Sequence, residues 1–462
     1  MISQIVFLLL TLTALGAFAW QMRKVLANIR LGRPLQRTDQ MVQRLGKMLL
    51  VAFGQQKMFK RITPAVLHAF IYVSFLVINI EVLEIIIDGL TGQHRVLGQH
   101  LGAFYDGLMA VNEWLAVLVI VACVALLYRR NVMKVRRFRG IEMQQSKGLI
   151  RRRNYSHLDA NIILVTEIVL MLALFLFNIA DISLHRMGAG ALGGELPGSY
   201  PISHMLAEAG VLGSSASSLH LLERIGWWGH ILGIFAFLNY LPISKHFHIL
   251  MAFPNVYFSK LEPTGKLSSP KHIQEEVKAA FDFSYTPAED PHAPKRFGAR
   301  DVTDLSWKSL LDAYTCTECG RCTSECPANL TGKKLSPRKI VMDVRDRLEE
   351  IQKFHLTTDE NGVIVAPEGA KPEAQQAAAH TLLGDFYISE EELRACTTCN
   401  ACVETCPVNI DQVAIIMELR RYLVMEESSM PEEWVAMSNN IENNGAPWAF
   451  PAAARFDWAK EV

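Results

Sequence analysis

No strand–GxGxxG–helix unit occurs in the 462 residues, and alternating strand-like segments are scarce. That excludes a dinucleotide fold and leaves any flavin or NAD(P) to a partner. Charge of one sign is also missing: 46 Lys and Arg balance 46 Asp and Glu, so there is no global basic excess of the kind nucleic-acid binders carry. No basic residue precedes the apolar stretch at the N-terminus, which argues against a cleaved signal peptide. The apolar segments show no obvious inverted repeat or Gly-broken pair, so a transporter is a poor option. Cysteine is nearly absent outside two short stretches. The exception, Cys123, falls in an apolar segment and reads as a small core residue.

The other eight cysteines carry the first chemical conclusion. Cys316, Cys319, Cys322 and Cys326 form C-x-x-C-x-x-C-x-x-x-C followed by Pro327, and Cys396, Cys399, Cys402 and Cys406 repeat it before Pro407. This is the spacing of the bacterial-ferredoxin run that holds [4Fe–4S] clusters. A structural zinc site needs only four ligands, usually as two separated pairs. A disulfide framework needs an oxidising compartment and would not repeat the same gaps. In two-cluster ferredoxins the fourth cysteine of each run serves the other cluster. The expected sets are therefore Cys316, Cys319, Cys322 and Cys406, and Cys396, Cys399, Cys402 and Cys326.

Mean hydropathy is positive at +0.17, but the two halves differ. Five segments reach the ~20 apolar residues that span a bilayer: about Ile5–Val25, Thr63–Ile87, Leu108–Tyr128, Leu158–Ile182 and Trp227–Met251. Residues 22–61 and 129–157 carry ten Lys/Arg each, whereas 88–107 and 183–226 carry only Arg95, Arg186 and Arg224. The positive-inside rule puts the N-terminus outside and residues 252–462 in the cytoplasm, as a multi-pass membrane protein. The basic loops read as topological signals rather than nucleic-acid contacts.

Histidine inside an apolar span is expensive, and usually functional. His68 lies near the cytoplasmic end of span 2, His230 near the outer end of span 5, and His248 at the cytoplasmic end of span 5. On one ideal helix His230 and His248 share a face roughly 27 Å apart, while His246 points about 160° away. That arrangement suits two stacked b-type hemes, against a plainer reading as interfacial histidines. His68 and His248 share a depth and are expected to ligate an inner heme. An outer heme on His230 needs a partner near Ile78, where there is no histidine. His100 is the nearest by depth, with His204 and His220 as others. His157 competes for the inner heme, and a kink at Pro242 would bring in His246. Glu81, Glu84, Asp88, Asp106, Glu113 and Glu167, with Asn79, read as interfacial helix ends or as a proton path to an outer quinone site.

In the polar half, residues 253–305 form a Pro- and Gly-punctuated linker. DLSWKSLLDAYTCTECGRC reads as an amphipathic helix delivering the first cysteines. SPRKIVMDVRDRLEEIQKF and DQVAIIMELRRYLVMEES have helical apolar spacing. The expectation is a helical ferredoxin domain over 306–430, interrupted by a short hairpin at GVIVAP and an Ala/Gln/Pro surface excursion, with a tail at 431–462.

The segment WWGHILGIFAFLNYLPISKHFHILMAFPN resembles the cytochrome b domain shared by the respiratory nitrate reductase gamma subunit and the heterodisulfide reductase membrane subunit. The cysteine runs resemble the helical ferredoxin of heterodisulfide reductase. The whole is similar to bacterial membrane (Fe-S)-binding oxidoreductases of the heterodisulfide reductase type. The resemblance implies an all-α fold over 1–252 (five-helix heme b bundle) and 306–430, with His68, His230 and His248 as heme ligands. One heme b is expected and two are allowed; the second histidine of the family's second helix is missing here. It also implies a quinone, for instance menaquinone, as membrane reactant. NNGAPWAFPAAARFDWAKEV resembles the junction before a cysteine-rich CCG domain, whose cysteines this sequence lacks. The expected function is thus electron transfer between quinone, heme b and two clusters, to or from a soluble CCG-type or flavoprotein subunit. The alternative is a membrane-anchored redox sensor or assembly scaffold with structural clusters.

Overall fold

The computed structural model describes residues 1–133, 135–138, 140, 155–192, 196–213, 215–287 and 296–460. Arg151, Arg152 and Arg153 of the second basic loop lie outside the described residues, as does the middle of the linker, 288–295. Among the described residues the fold is all-α apart from one two-stranded hairpin.

Among the described residues, five helices are long and apolar enough to cross a membrane: α1 (Ile2–Ile29), α2 (Ile62–Thr91), α3 (Ala103–Asn131), α4 (Tyr155–Arg186) and α5 (Ala216–Tyr240). Each packs on its sequence neighbour, and α1 also packs on α5, so the five close into a ring. Their outer faces expose Leu9, Leu12, Trp114, Val121 and Leu172, while Phe7, Ile85, Phe177, Trp227 and Ile231 fill one interior cluster. That is the inverse of a soluble bundle and suits a lipid solvent. Helices of that length with apolar outer faces identify a multi-pass membrane protein. α4 and α5 pack closely at Gly226, where an added Cβ would meet Phe177 N at 2.5 Å, the small-residue packing typical of membrane helices.

Span 5 departs from expectation. Rather than running through Met251, α5 ends at Tyr240, two 3₁₀ turns follow (Leu241–Ile243 and Lys245–Phe247), and α6 (His248–Tyr257) starts afresh. Pro242 sits in the first turn, where its missing N–H and fixed φ stop the helical ladder. His230 and His248 therefore do not share one helix, and the ideal-helix spacing between them does not apply.

The C-terminal half is built on α7 (Trp307–Thr315), α8 (Pro337–Lys353) and α9 (Gln412–Met425). Ser306, Ser336 and Asp411 cap their N-termini by accepting from Ser309 N, Lys339 N and Ala414 N, as short polar N-caps do. The hairpin pairs Thr357 with Val365 and Thr358 with Ile364. The Ala/Gln/Pro stretch is not a loose excursion: Pro372–Ala379 is helical, with Ala374 and Ala377 buried. The linker boundary also shifts, because α6 continues to Tyr257 and Asn255 Nδ2 donates to Asp312 Oδ1 (3.0 Å) and the Val408 carbonyl (2.9 Å). Val25 and Ile29 of α1 join Leu311, Tyr314 and Leu348 in one core. The membrane bundle and the cysteine domain are thus packed as one body.

Candidate functional site

Each cysteine run folds around the same backbone device. Glu318 and Gly320 have φ of +54° and +71°, and Thr398 and Asn400, eighty residues on, have +55° and +60°. These left-handed residues, uncommon outside glycine, wrap the loop so that amides face sulfur. Glu318 N lies 3.4 Å from Cys316 Sγ and Thr398 N lies 3.4 Å from Cys396 Sγ. Ile410 N is 3.4 Å from Cys406 Sγ. The short helices Arg321–Ser324 and Ala401–Thr405 pack on each other, which brings the end of each run to the start of the other. Cys316, Cys319, Cys322 and Cys406 line one small cavity, with Gly320 and Arg338. Cys326 is absent from that lining; its thiol feels Cys396 and Cys399, and Cys402 feels Cys396, Cys326 and Cys399.

The chemistry of these thiols fits a polynuclear cluster. Among the described residues, no three His, Cys, Asp or Glu side chains converge on a single metal ion, whereas a mononuclear zinc site requires a tight tetrahedron. Four sulfurs around a cavity, with backbone N–H groups aimed at them, are what an iron–sulfur cubane needs. Burial pushes the Cys316 thiol up to about 11 and Cys406 to about 12, so these sulfurs become thiolates only when a bound cation stabilises their charge.

The histidines gather where span 5 breaks. His68, on α2, and His248, opening α6, have ring centroids 6.2 Å apart, and His246 lies 5.7 Å from His248. Two imidazoles that would hold one metal ion between them by bonds of about 2 Å have rings about 6 Å apart, so the spacing of this pair suits a shared metal. His248 Nδ1 is 3.0 Å from the Lys245 carbonyl, which fixes the ring and leaves Nε2 outward, as in ligating histidines. Two apolar cavities border the pair. One of about 190 Å³ includes Tyr72, Glu167 and His246 in its walls. The other, of about 280 Å³, runs from His68 and His248 to Cys319 and Pro407. Histidine site and first cysteine set thus share a chamber.

The remaining expected residues are placed apart. His230 is buried with Nδ1 2.8 Å from the Leu170 carbonyl, and its Nε2 has no hydrogen-bond partner among the described residues. It keeps the form of a ligand, but no histidine ring stacks on it among the described residues. His100 is exposed, with Nδ1 2.8 Å from the Val96 carbonyl, and the structure does not bring it to His230. His157 is half-buried at the start of α4.

The carboxylates divide as well. Glu84 accepts from Leu97 N (2.8 Å) and Tyr105 (2.7 Å), Asp88 from Arg95 N (2.7 Å), and Glu113 from Ile202 N (2.7 Å). They clamp the long loops onto the bundle. Arg95, buried, ties Asp181 (2.9 Å) and Asn178 (3.0 Å) into the same seal. Asn79 bonds its own helix. Glu81 differs: Asn112 donates to its Oε2 at 3.1 Å, yet its buried Oε1 has no partner among the described residues.

Sequence reasoning did not reach the cations around the first cysteine set. Arg338 and Arg345 are buried on α8; the first lies 2.6 Å from where a Cβ on Gly320 would stand, and the second donates to Glu318. In sequence they sit among ordinary charged positions of an amphipathic helix and give no signal. Lys245 was likewise unremarkable, yet it is buried and 2.9 Å from Glu318 Oε2.

Residues 315–410 match a family described as a 4Fe-4S dicluster domain. Over its full length the chain is 31% identical to the probable iron-sulfur-binding oxidoreductase FadF of Bacillus subtilis, spanning 61% of that protein. It is 27% identical over 92% of its length to EtfAB:quinone oxidoreductase of Syntrophomonas wolfei, spanning 55% of it. A probable membrane-anchored ferredoxin of Chromohalobacter salexigens is 31% identical over 38% of the chain and 25% of that protein. The chain therefore spans somewhat over half the length of the first two. No solved structure matches. The chain carries a dicluster domain, and its relatives are iron–sulfur-binding oxidoreductases.

Proposed function

We propose that this chain is the electron-transfer subunit of a membrane-bound oxidoreductase. It links membrane quinone or quinol, heme b on His68 and His248, and two [4Fe–4S] clusters to a separate soluble redox subunit. The observation that carries the reading is the shared chamber: one cavity is walled by both the histidine pair and Cys319. When bound, heme and clusters supply one-electron centres. The chain's own residues supply the rest. Backbone amides of Glu318, Thr398 and Ile410 direct donors at sulfur, which stabilises added negative charge. The walls around His68 and His248 are largely apolar, with Ile71, Phe75, Leu126 and Phe253 among them.

The crossed ligand sets, Cys316, Cys319, Cys322 with Cys406 and Cys396, Cys399, Cys402 with Cys326, are supported by the cavity lining and by which thiols face one another. A quinone reactant is supported by the relative named for one. The cytoplasmic placement of the cluster domain rests on the basic loops. Docking of a soluble CCG-type or flavin-bearing subunit is supported by the surface: Cys399 is exposed, Arg394 stacks on Trp434 at 5.3 Å, and Trp448, Phe450, Phe456 and Trp458 are all exposed. Such an aromatic concentration favours a protein interface.

Redox titration with quinol as donor tests the reading, with optical and EPR detection of both centres. Rapid reduction of both is expected and separates electron transfer from a membrane-anchored sensor or scaffold. His68→Ala should remove at least one heme signal; unchanged heme content in that variant would take His68 out of the site.

A further inference from the structure

His248 and the first cysteine loop belong to different halves of the chain, yet a continuous run of contacts joins them. His248 Nδ1 lies 3.0 Å from the carbonyl of Lys245. The side chain of the same lysine donates to Glu318 Oε2 at 2.9 Å. Glu318 stands between Cys316 and Cys319, and its backbone N–H is 3.4 Å from Cys316 Sγ. Both side chains are buried, Lys245 at 9% exposure and Glu318 at 2%, so water and salt screen the pair little.

Both ends are held from several directions. Lys245 Nζ also donates to the Ser156 carbonyl (2.5 Å) and hydroxyl (3.0 Å), and its backbone N–H to Asp159 Oδ2 (2.9 Å). Asp159 is in turn fixed by the Tyr240 hydroxyl at 2.6 Å. On the other side Arg345 donates to Glu318 Oε1, and Arg338 Nη1 lies 3.4 Å from the Glu318 carbonyl. Glu318 keeps a left-handed backbone, φ +54°, that an L-residue adopts at a cost. A plain domain anchor would serve anywhere on the interface. This one connects the residue beside a heme-ligand candidate to the residue between two cluster ligands.

We propose that Lys245 and Glu318 are positioning residues that couple the histidine site to the first cluster, fixing the gap between them and carrying charge changes across it. The proposal rests on the electron-transfer reading above. In a low-dielectric interior a satisfied polar chain polarises along its length, and two sites so joined bias each other through a physical network rather than through proximity.

The test uses the full chain in detergent, comparing wild type with Lys245→Met, Lys245→Arg and Glu318→Gln. Heme absorbance and iron–sulfur EPR give the occupancy of both centres. A photoreductant then reduces the clusters, and the passage of one electron from a reduced cluster to ferric heme is followed in time. Lys245→Met and Glu318→Gln should keep both centres and slow that passage about tenfold or more, the scale of effect expected when a fixed geometry is lost. EPR titration should show the first cluster's potential displaced and the second's unchanged. Lys245→Arg, which keeps the charge, should restore most of the rate. Transfer within twofold of wild type in both charge-removing variants, with both centres full, overturns the proposal. So does loss of the clusters in both variants, which would make the pair an anchor only. A wild-type chain lacking heme or cluster signals would instead overturn the electron-transfer reading itself.

Discussion

Among single residues, the strongest dependence falls on buried charge. Arg347 is fully buried on α8, donates to both oxygens of Asp301 (3.1, 3.1 and 2.8 Å), and reaches Glu350 Oε2 and the Ala377 carbonyl at 2.7 Å each. Arg347→Met leaves two buried carboxylates short of their cation and should cost about 3–5 kcal/mol. Denaturant unfolding of the cluster-loaded protein reads this out; a loss below ~1 kcal/mol would mean that His380 and Tyr387, 2.8 and 2.9 Å from Glu350, suffice. The crossed ligation gives a second residue-scale test. Cys406 belongs to the second run but lines the first cavity. Cys406→Ser should therefore perturb the EPR signal of the same cluster as Cys316→Ser, and Cys326→Ser the signal shared with Cys399→Ser. Pairing by sequence run instead would refute the crossing.

At the scale of elements, what the sequence disclosed depended on whether a local pattern was enough. The long apolar runs of α1 to α4 announce themselves, because a helix in lipid must be apolar along its length. The repeated cysteine spacing is equally legible, and its duplicate left-handed residues at 318 and 398 follow from the same gaps. The fifth span was drawn too long because 3.6-residue periodicity was carried through Pro242; the alternative of a kink there is the one the chain follows, with α5 ending at Tyr240 and His246 5.7 Å from His248. α8 was read as a one-sided helix, yet Arg338, Arg345 and Arg347 are buried; Arg345 reaches Glu318 and Arg347 reaches Asp301, 27 and 46 residues away in sequence, so no local pattern marks them. Helix contact in the membrane is the testable element-scale feature. Gly226→Val on α5 would push into the α4 backbone, where Phe177 N stands 2.5 Å from the new Cβ. That overpacking should cost about 1–3 kcal/mol. Gly229→Ala, with nothing within 4 Å, should be nearly neutral. Equal detergent melting temperatures for the two variants would contradict this packing.

For the whole molecule, one core spans both halves. Cys316, Cys326 and Cys406 share a hydrophobic cluster with Val25 and Ile29 of α1, and Asn28 Nδ2 donates to the Tyr314 hydroxyl at 2.6 Å. Iron bound at the cysteines should thus stabilise the end of the first span as well as the cluster domain. Removing iron with a chelator should raise hydrogen exchange over 307–353, 396–425 and the last turns of α1, while α3 and α4 stay protected; uniform protection throughout would deny the linkage. The central claim, two iron–sulfur clusters beside a bis-histidine heme, is most directly tested by metal analysis with low-temperature EPR on the purified, dithionite-reduced full chain. The account predicts roughly eight iron per chain beyond heme iron and two interacting [4Fe–4S]⁺ signals. Zinc in place of iron, or about four iron with one isolated cluster signal, would contradict it.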